Sequence, residues 1–197
     1  MEQQKPEFWN NNYQTNKTGW DIGAVSTPLK EYFDQISDKT LKILIPGAGN
    51  AYEAEYLWRK GFKNVFVLDF SEVAASLFLN RYPDFPKENV IVQDFFQHNG
   101  QYNLIIEQTF FSAIQPNQRK EYAEKMAQLL IVGGKLVGLL FNHPILLPGP
   151  PFGGTPEEYQ KLFSPKYKLR TFETANNSIQ AREGRELFLI LEKKANN

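Results

Sequence analysis

The chain of 197 residues has no cysteine and two histidines. That excludes disulfides, thiolate zinc sites and a cysteine nucleophile, and two distant histidines offer no metal-ligand cluster. Neither charge sign is in excess: Lys+Arg and Asp+Glu both count 22. No global field therefore draws the chain to nucleic acid or an anionic membrane. No apolar run approaches the about 18 residues of a membrane span, and the opening "MEQQKPEFWNNNYQ" lacks the charged-then-apolar plan of a secretory signal. These absences lead to an expected cytoplasmic protein with no nucleic-acid or membrane partner. Nothing in the chain calls for more than a monomer.

With 42% hydrophobic residues the chain carries enough apolar material for one core, hence one domain over residues 1–197. Short aliphatic runs at residues 41–45, 64–68, 90–93, 104–107 and 135–141 read as strands, most of them without polar alternation. That is the pattern of parallel strands covered on both faces. Between them, residues 52–60, 71–82 and 117–130 show helical spacing, with Ser71 and Asn117 placed to cap. "KYKLRTFETA" and "RELFLILEK" alternate like an antiparallel pair that would finish a mixed sheet. Four segments follow: 1–40, the core 41–141, a Pro/Gly-rich loop in 142–165 reading as a lid or wall, and the strand pair 166–197.

The most informative stretch is "LKILIPGAGNAYEAEYLWRKGFKNVFVLDFS", residues 41–71. One strand stops at Gly47-Ala48-Gly49, and the next stops about twenty residues later at Asp69. A glycine turn lets backbone approach a ligand, and an acid at the next strand end can accept from both ribose hydroxyls. In the dinucleotide fingerprint a small residue follows the second glycine by three positions; here it is Tyr52. A bulky ring there disfavours a pyrophosphate and suits a nucleoside sulfonium. Asp94 ends the third strand, within reach of an adenine amino group, and Glu107 ends the fourth.

Together with "FWNNNYQTNKTGWDIG", "YNLIIEQTFFSAIQP" and "LLPGPPFGG", these residues resemble a class I S-adenosylmethionine-dependent methyltransferase of the thiopurine S-methyltransferase family. The resemblance is nearest to its halide/thiol methyltransferase branch. It implies an α/β Rossmann-like fold with a seven-stranded mixed sheet, mostly parallel with one antiparallel strand, and helices on both faces. The implied cofactor is S-adenosyl-L-methionine and the implied partner a small-molecule acceptor: a thiol, thiopurine, halide, or selenium or tellurium oxyanion. By the same resemblance Trp9, Tyr13 and Trp20 cover the cofactor from the N-terminal segment, with Tyr13 standing where the branch usually has Trp. Gly47, with Gly49, lies against the methionyl part, Asp69 binds ribose, Asp94 and Phe95 hold adenine, and Glu107 lies near the methionyl ammonium. The family's "PPY" is Pro150-Pro151-Phe152 here, so the tyrosine hydroxyl is missing.

Methyl transfer from a sulfonium is an in-line displacement that needs alignment and a dry, cation-tolerant wall rather than a strong acid. Phe110, Phe111, Pro151 and Phe152 are the candidates for the acceptor side. His143, after the fifth strand, is with Phe152 the catalytic candidate, whereas His98, beside Asn99-Gly100, reads as a surface loop residue. A thiol, with a free pKa of about 8.5, needs no dedicated base. A catalytically silent cofactor-binding protein and a small-molecule O- or N-methyltransferase stay open as alternatives.

Overall fold

The computed structural model describes residues 5–146 and 148–195. Leu147 of the Pro/Gly-rich segment, residues 1–4 of the N-terminal segment and residues 196–197 of the strand pair lie outside the described residues.

Seven strands form one sheet: β1 Ile43–Pro46, β2 Val65–Asp69, β3 Val90–Val92, β4 Tyr102–Gln108, β5 Leu130–Phe141, β6 Tyr167–Thr174 and β7 Glu186–Lys193. Their order is β3-β2-β1-β4-β5-β7-β6. β1 to β5 pair in parallel, and β7 runs antiparallel to both its neighbours. The expected mixed sheet with one antiparallel strand is what the chain forms. The order reverses at β1, whose neighbours are β2 and β4, and this is the switch point where open α/β sheets bind ligands.

Both faces are covered because consecutive side chains of each strand point to opposite sides. Leu44 and Ile105 enter one core with Tyr122, Met126 and Phe163; Ile43, Ile45, Leu104 and Ile106 enter the other with Leu29, Leu57 and Phe78. The first core packs under α5 Phe110–Ala113, α6 Arg119–Leu129 and α7 Pro156–Phe163. The second packs under α2 Thr27–Asp34, α3 Tyr52–Arg59 and α4 Glu72–Arg81. The short α1, Pro6–Gln14, lies against α4, where the Ser71 hydroxyl donates to Asn10 Oδ1 at 2.6 Å.

Ser71 caps α4 as expected, its Oγ accepting from Ala74 N–H at 3.1 Å. Asn117 does not cap α6. Pro116–Gln118 is a 3₁₀ turn closed by Gln118 N–H to the Gln115 carbonyl, so the α-helix starts two residues later, at Arg119. β5 begins at Leu130, five residues before the expected start. Leu130 already pairs with Tyr102, and the register then slips before Lys135 pairs with Leu104. Gly133, at φ +76°, takes up the irregularity. α7 occupies part of the span read as a loop; its capping box is Thr155 with Glu158.

His98 is a correction. It is 6% exposed, with Nε2 2.8 Å from the Tyr102 hydroxyl and Nδ1 3.2 Å from Gln93 Oε1. The neighbouring Asn-Gly turn is what suggested a surface position. Burial, with Lys125 and Lys42 nearby, lowers the imidazole pKa, so this histidine is a neutral structural bridge.

Candidate active site

A cavity of about 640 Å³ opens at the carboxyl ends of β1 to β4. Its size and largely apolar wall suit a drug-sized ligand. Its wall includes Trp9, Tyr13 and Trp20 from the N-terminal segment, Gly47, Asp69, Asp94, Phe95, Phe110 and Pro151. A smaller recess of about 60 Å³ shares Tyr13, Trp20, Gly47 and Thr109 with it and adds Gly49, Asp21, Glu53 and Gln108.

The glycine turn is fixed from three sides. Gly47 has φ +58°, and a Cβ there would lie 2.1 Å from the Phe110 ring. Gly49 has φ +53°, and a Cβ there would lie 2.4 Å from the Tyr13 hydroxyl. Only glycine combines this left-handed backbone with such close neighbours. Asp69 closes the third side: its Oδ2 accepts from Gly49 N–H and its Oδ1 from Ser71 N–H, both at 2.9 Å. Burial raises the Asp69 pKa, and those backbone donors oppose the shift. Each oxygen keeps lone-pair capacity toward the cavity. Asp94 Oδ1 accepts from Phe96 N–H at 2.8 Å, which orients that carboxylate while its other oxygen stays available.

The aromatic wall is made of two ring clusters, one from the N-terminal segment and one from the turns after β3 and β4. Trp9 and Tyr13 meet Trp20 edge-on at 5.3 Å and 5.8 Å, and Phe95 meets Phe110 at 5.2 Å. Burial pushes the Tyr13 hydroxyl pKa far upward, so it stays protonated over Gly49. Thr109, at φ +64°, makes the turn from β4 into α5 and aims Phe110 across Gly47.

Four candidates sit elsewhere. Glu107 is 1% exposed and lies behind the wall, where Phe111 N–H donates to its Oε1 at 2.9 Å and the Tyr122 hydroxyl donates to its Oε2. Burial pushes its pKa up to about 7. Phe111 is 1% exposed and packs on Tyr122, Tyr159 and Phe163, so it is core rather than acceptor wall. Phe152 and His143 do not line the cavity. Phe152 donates its N–H to the Ser112 carbonyl at 2.7 Å, while the His143 ring rests on Phe141.

Sequence reasoning missed three groups. Arg119 donates to the Gly153 carbonyl at 2.9 Å and lies over Phe111, pinning the Pro/Gly-rich loop. Arg182 and Arg185, between β6 and β7, line the cavity from the far side; their only sequence signal was a basic pair flanking Glu183-Gly184. In the recess Asp21 accepts from Asn50 and Tyr52, Glu53 is 5% exposed, and Gln108 Oε1 is buried without a partner among the described residues. That set of acceptors fits the cationic ammonium of a methionyl group, and the aromatic cavity with its two acids fits a nucleoside. Among the described residues no cluster of His, Asp or Glu is placed to hold a metal ion.

Comparison with known proteins agrees with this fold and with S-adenosylmethionine as the cofactor. The chain is 27% identical over 162 residues to the probable thiol methyltransferase 2 of Arabidopsis thaliana, covering 80% of this chain and 71% of that one. It is 27% identical over 184 residues to thiocyanate methyltransferase 1 of Brassica oleracea, covering 90% and 81%. A solved N1-methyltransferase for 1,6-didemethyltoxoflavin from Burkholderia thailandensis, with bound S-adenosylhomocysteine, shares the fold at TM-score 0.77 and 14% identity, covering 96% of this chain and 87% of that one. The thiopurine S-methyltransferase family model matches residues 4–194. The chain therefore belongs to the thiopurine S-methyltransferase family and is an S-adenosylmethionine-dependent methyltransferase of small molecules.

Proposed function

We propose that the acceptor is a small thiol, methylated without a dedicated protein base. The observation that supports this is the make-up of the cavity wall: among the described residues neither histidine lines it, and its two acids, Asp69 and Asp94, belong to the nucleoside end. Glu107, a buried acid behind the wall, already accepts from two donors. An alcohol or amine acceptor asks for a proton acceptor in reach, whereas a thiol is partly ionised near neutrality.

Bound S-adenosylmethionine supplies an electrophilic methyl group on a positively charged sulfur. In this reading Asp69 accepts from the ribose hydroxyls, and Asp94 with Phe95 holds the adenine. The recess of Asp21, Glu53 and Gln108 takes the methionyl ammonium in place of Glu107. Trp9, Tyr13, Trp20 and Phe110 exclude water and tolerate the cation through their ring faces, at about 0.5–2 kcal/mol each. Residues 1–40 act as the cover, 41–141 as the cofactor core, 142–165 as the acceptor-side wall and 166–197 as the closing strand pair. The reading includes a monomer in the cytoplasm with no nucleic-acid partner, supported by the balanced charge and tested by sedimentation and cell fractionation.

Calorimetric titration with S-adenosylmethionine and S-adenosylhomocysteine, followed by a product-release assay across thiols, iodide and selenite, tests the proposal. Micromolar binding with thiol turnover is expected. Asp69→Ala weakens that binding by about 1.5–3 kcal/mol, the scale of a charged hydrogen-bond partner. Binding with turnover of a non-thiol acceptor alone sinks the acceptor assignment, and unchanged affinity in Asp69→Ala sinks the ribose assignment.

A further inference from the structure

Charge is divided along the cavity. The lining carboxylates, Asp69 and Asp94, come from the end of β2 and the turn after β3, whereas the lining arginines, Arg182 and Arg185, both come from the β6–β7 connection. The two arginines are not equivalent. Arg182 is buried, paired with Glu186 Oε1 at 3.2 Å, and donates to the Trp20 carbonyl at 2.6 Å. Its charge is neutralised locally and its donors hold the cover segment. Arg185 is exposed at the cavity mouth, and among the described residues its guanidinium has no ion pair and no side-chain hydrogen bond.

The backbone under Arg185 is nevertheless fixed. Its N–H donates to the Arg182 carbonyl at 2.9 Å, and its carbonyl accepts from Asn142 N–H at 3.0 Å, at the end of β5. Asn142 Nδ2 also donates to the Gly184 carbonyl at 3.2 Å. Gly184, at φ +70°, supplies the reversal that places both arginines on the cavity side. A planar, permanently charged fork is thus held on a rigid turn at the edge of an apolar wall built from Phe110, Ile114, Phe141 and Pro151. A guanidinium so placed pairs bidentately with a carboxylate.

We propose that Arg185 is the specificity residue for the acceptor and receives a carboxylate, so that the substrate class is a small thiol bearing a carboxylate group. This rests on the thiol reading above. The apolar wall takes the body of such an acceptor and Arg185 takes its far end.

The test compares 4-mercaptobenzoate with thiophenol as acceptors. It also titrates the S-adenosylhomocysteine complex with 4-(methylthio)benzoate and with thioanisole, in the wild type, Arg185→Gln and Arg185→Lys. The expected result in Arg185→Gln is a fall of ten-fold or more in the preference for the carboxylate over its neutral counterpart. It is seen in KM rather than kcat and in the product titration, with S-adenosylhomocysteine affinity unchanged and partial recovery in Arg185→Lys. An unchanged preference in Arg185→Gln overturns the proposal, as does an equal loss for charged and neutral ligands. A wild type that binds 4-(methylthio)benzoate through Arg185 yet methylates neither thiol supports the anion site while sinking the thiol reading. Equal competition by benzoate and by iodide, both lost in Arg185→Gln, points to a general anion site and overturns the carboxylate assignment.

Discussion

At the residue scale the sequence announced acids but not their surroundings. Asp69 was legible because its strand-end position follows from a glycine turn twenty residues earlier. The setting of Glu107 was not legible, because Tyr122 reaches it from α6, fifteen residues along the chain. Two buried carboxyls, Glu107 and Glu53, contribute strongly to the pH response. Burial raises both Glu107 and Glu53 from 4.5 to about 7. The folded state therefore holds protons that the unfolded chain has released, and the associated stability is full below about pH 4.5 and lost as pH rises through 7. Each group contributes on the order of 3 kcal/mol across that window. Urea denaturation between pH 5 and 8 should show a falling midpoint, and Glu107→Gln should make that fall clearly shallower. The substitution is sterically mild, and the Tyr122 hydroxyl can accept from the new amide instead of donating to the lost oxygen. A midpoint flat with pH in the wild type contradicts the assignment.

At the element scale, apolar periodicity revealed the central parallel strands because they are buried on both faces and leave unbroken aliphatic runs. The first helix of the N-terminal segment stayed hidden for the opposite reason. α1 is "PEFWNNNYQ", whose polar residues carry no helical stripe, and its single buried residue is Tyr13. It is ordered by what it lies on: Asn10 against Ser71, and the Tyr13 hydroxyl against Gly49. The helix and the glycine turn therefore depend on each other. Gly49→Ala should cost about 1–2 kcal/mol for the left-handed backbone alone. It should also displace the Tyr13 hydroxyl, lowering S-adenosylhomocysteine affinity ten-fold or more by calorimetry. Gly61, also left-handed at φ +91° but with no atom within 4 Å of a Cβ, is the control. Gly61→Ala should show a similar stability loss with normal binding. Equal effects on binding at the two sites would show that the approach of Tyr13 to Gly49 has no role.

At the scale of the whole molecule, the N-terminal segment that lines the cavity is fastened by residues far away in sequence, and no local pattern disclosed those fastenings. Arg182 reaches the Trp20 carbonyl across 162 residues, and Asn177 reaches Glu31 across 146. Arg182 has two tasks that mutation can separate. Its pairing with the buried Glu186 sustains the β6–β7 connection, and its bond to the Trp20 carbonyl ties down the N-terminal segment at the cavity. Arg182→Gln alone leaves Glu186 buried with, among the described residues, only the Ser178 hydroxyl as a side-chain donor and should cost about 3 kcal/mol in urea denaturation. Adding Glu186→Gln removes the stranded charge and should restore most of that loss, because a buried pair replaced as a unit is far less costly than one broken. The bond to Trp20 stays absent in the double variant. Its N-terminal segment should therefore be cut by trypsin at the exposed Lys17 several-fold faster than in the wild type, despite near-native stability. Restored stability together with wild-type resistance at Lys17 would mean that the aromatic contacts of Trp20 hold the cover without Arg182.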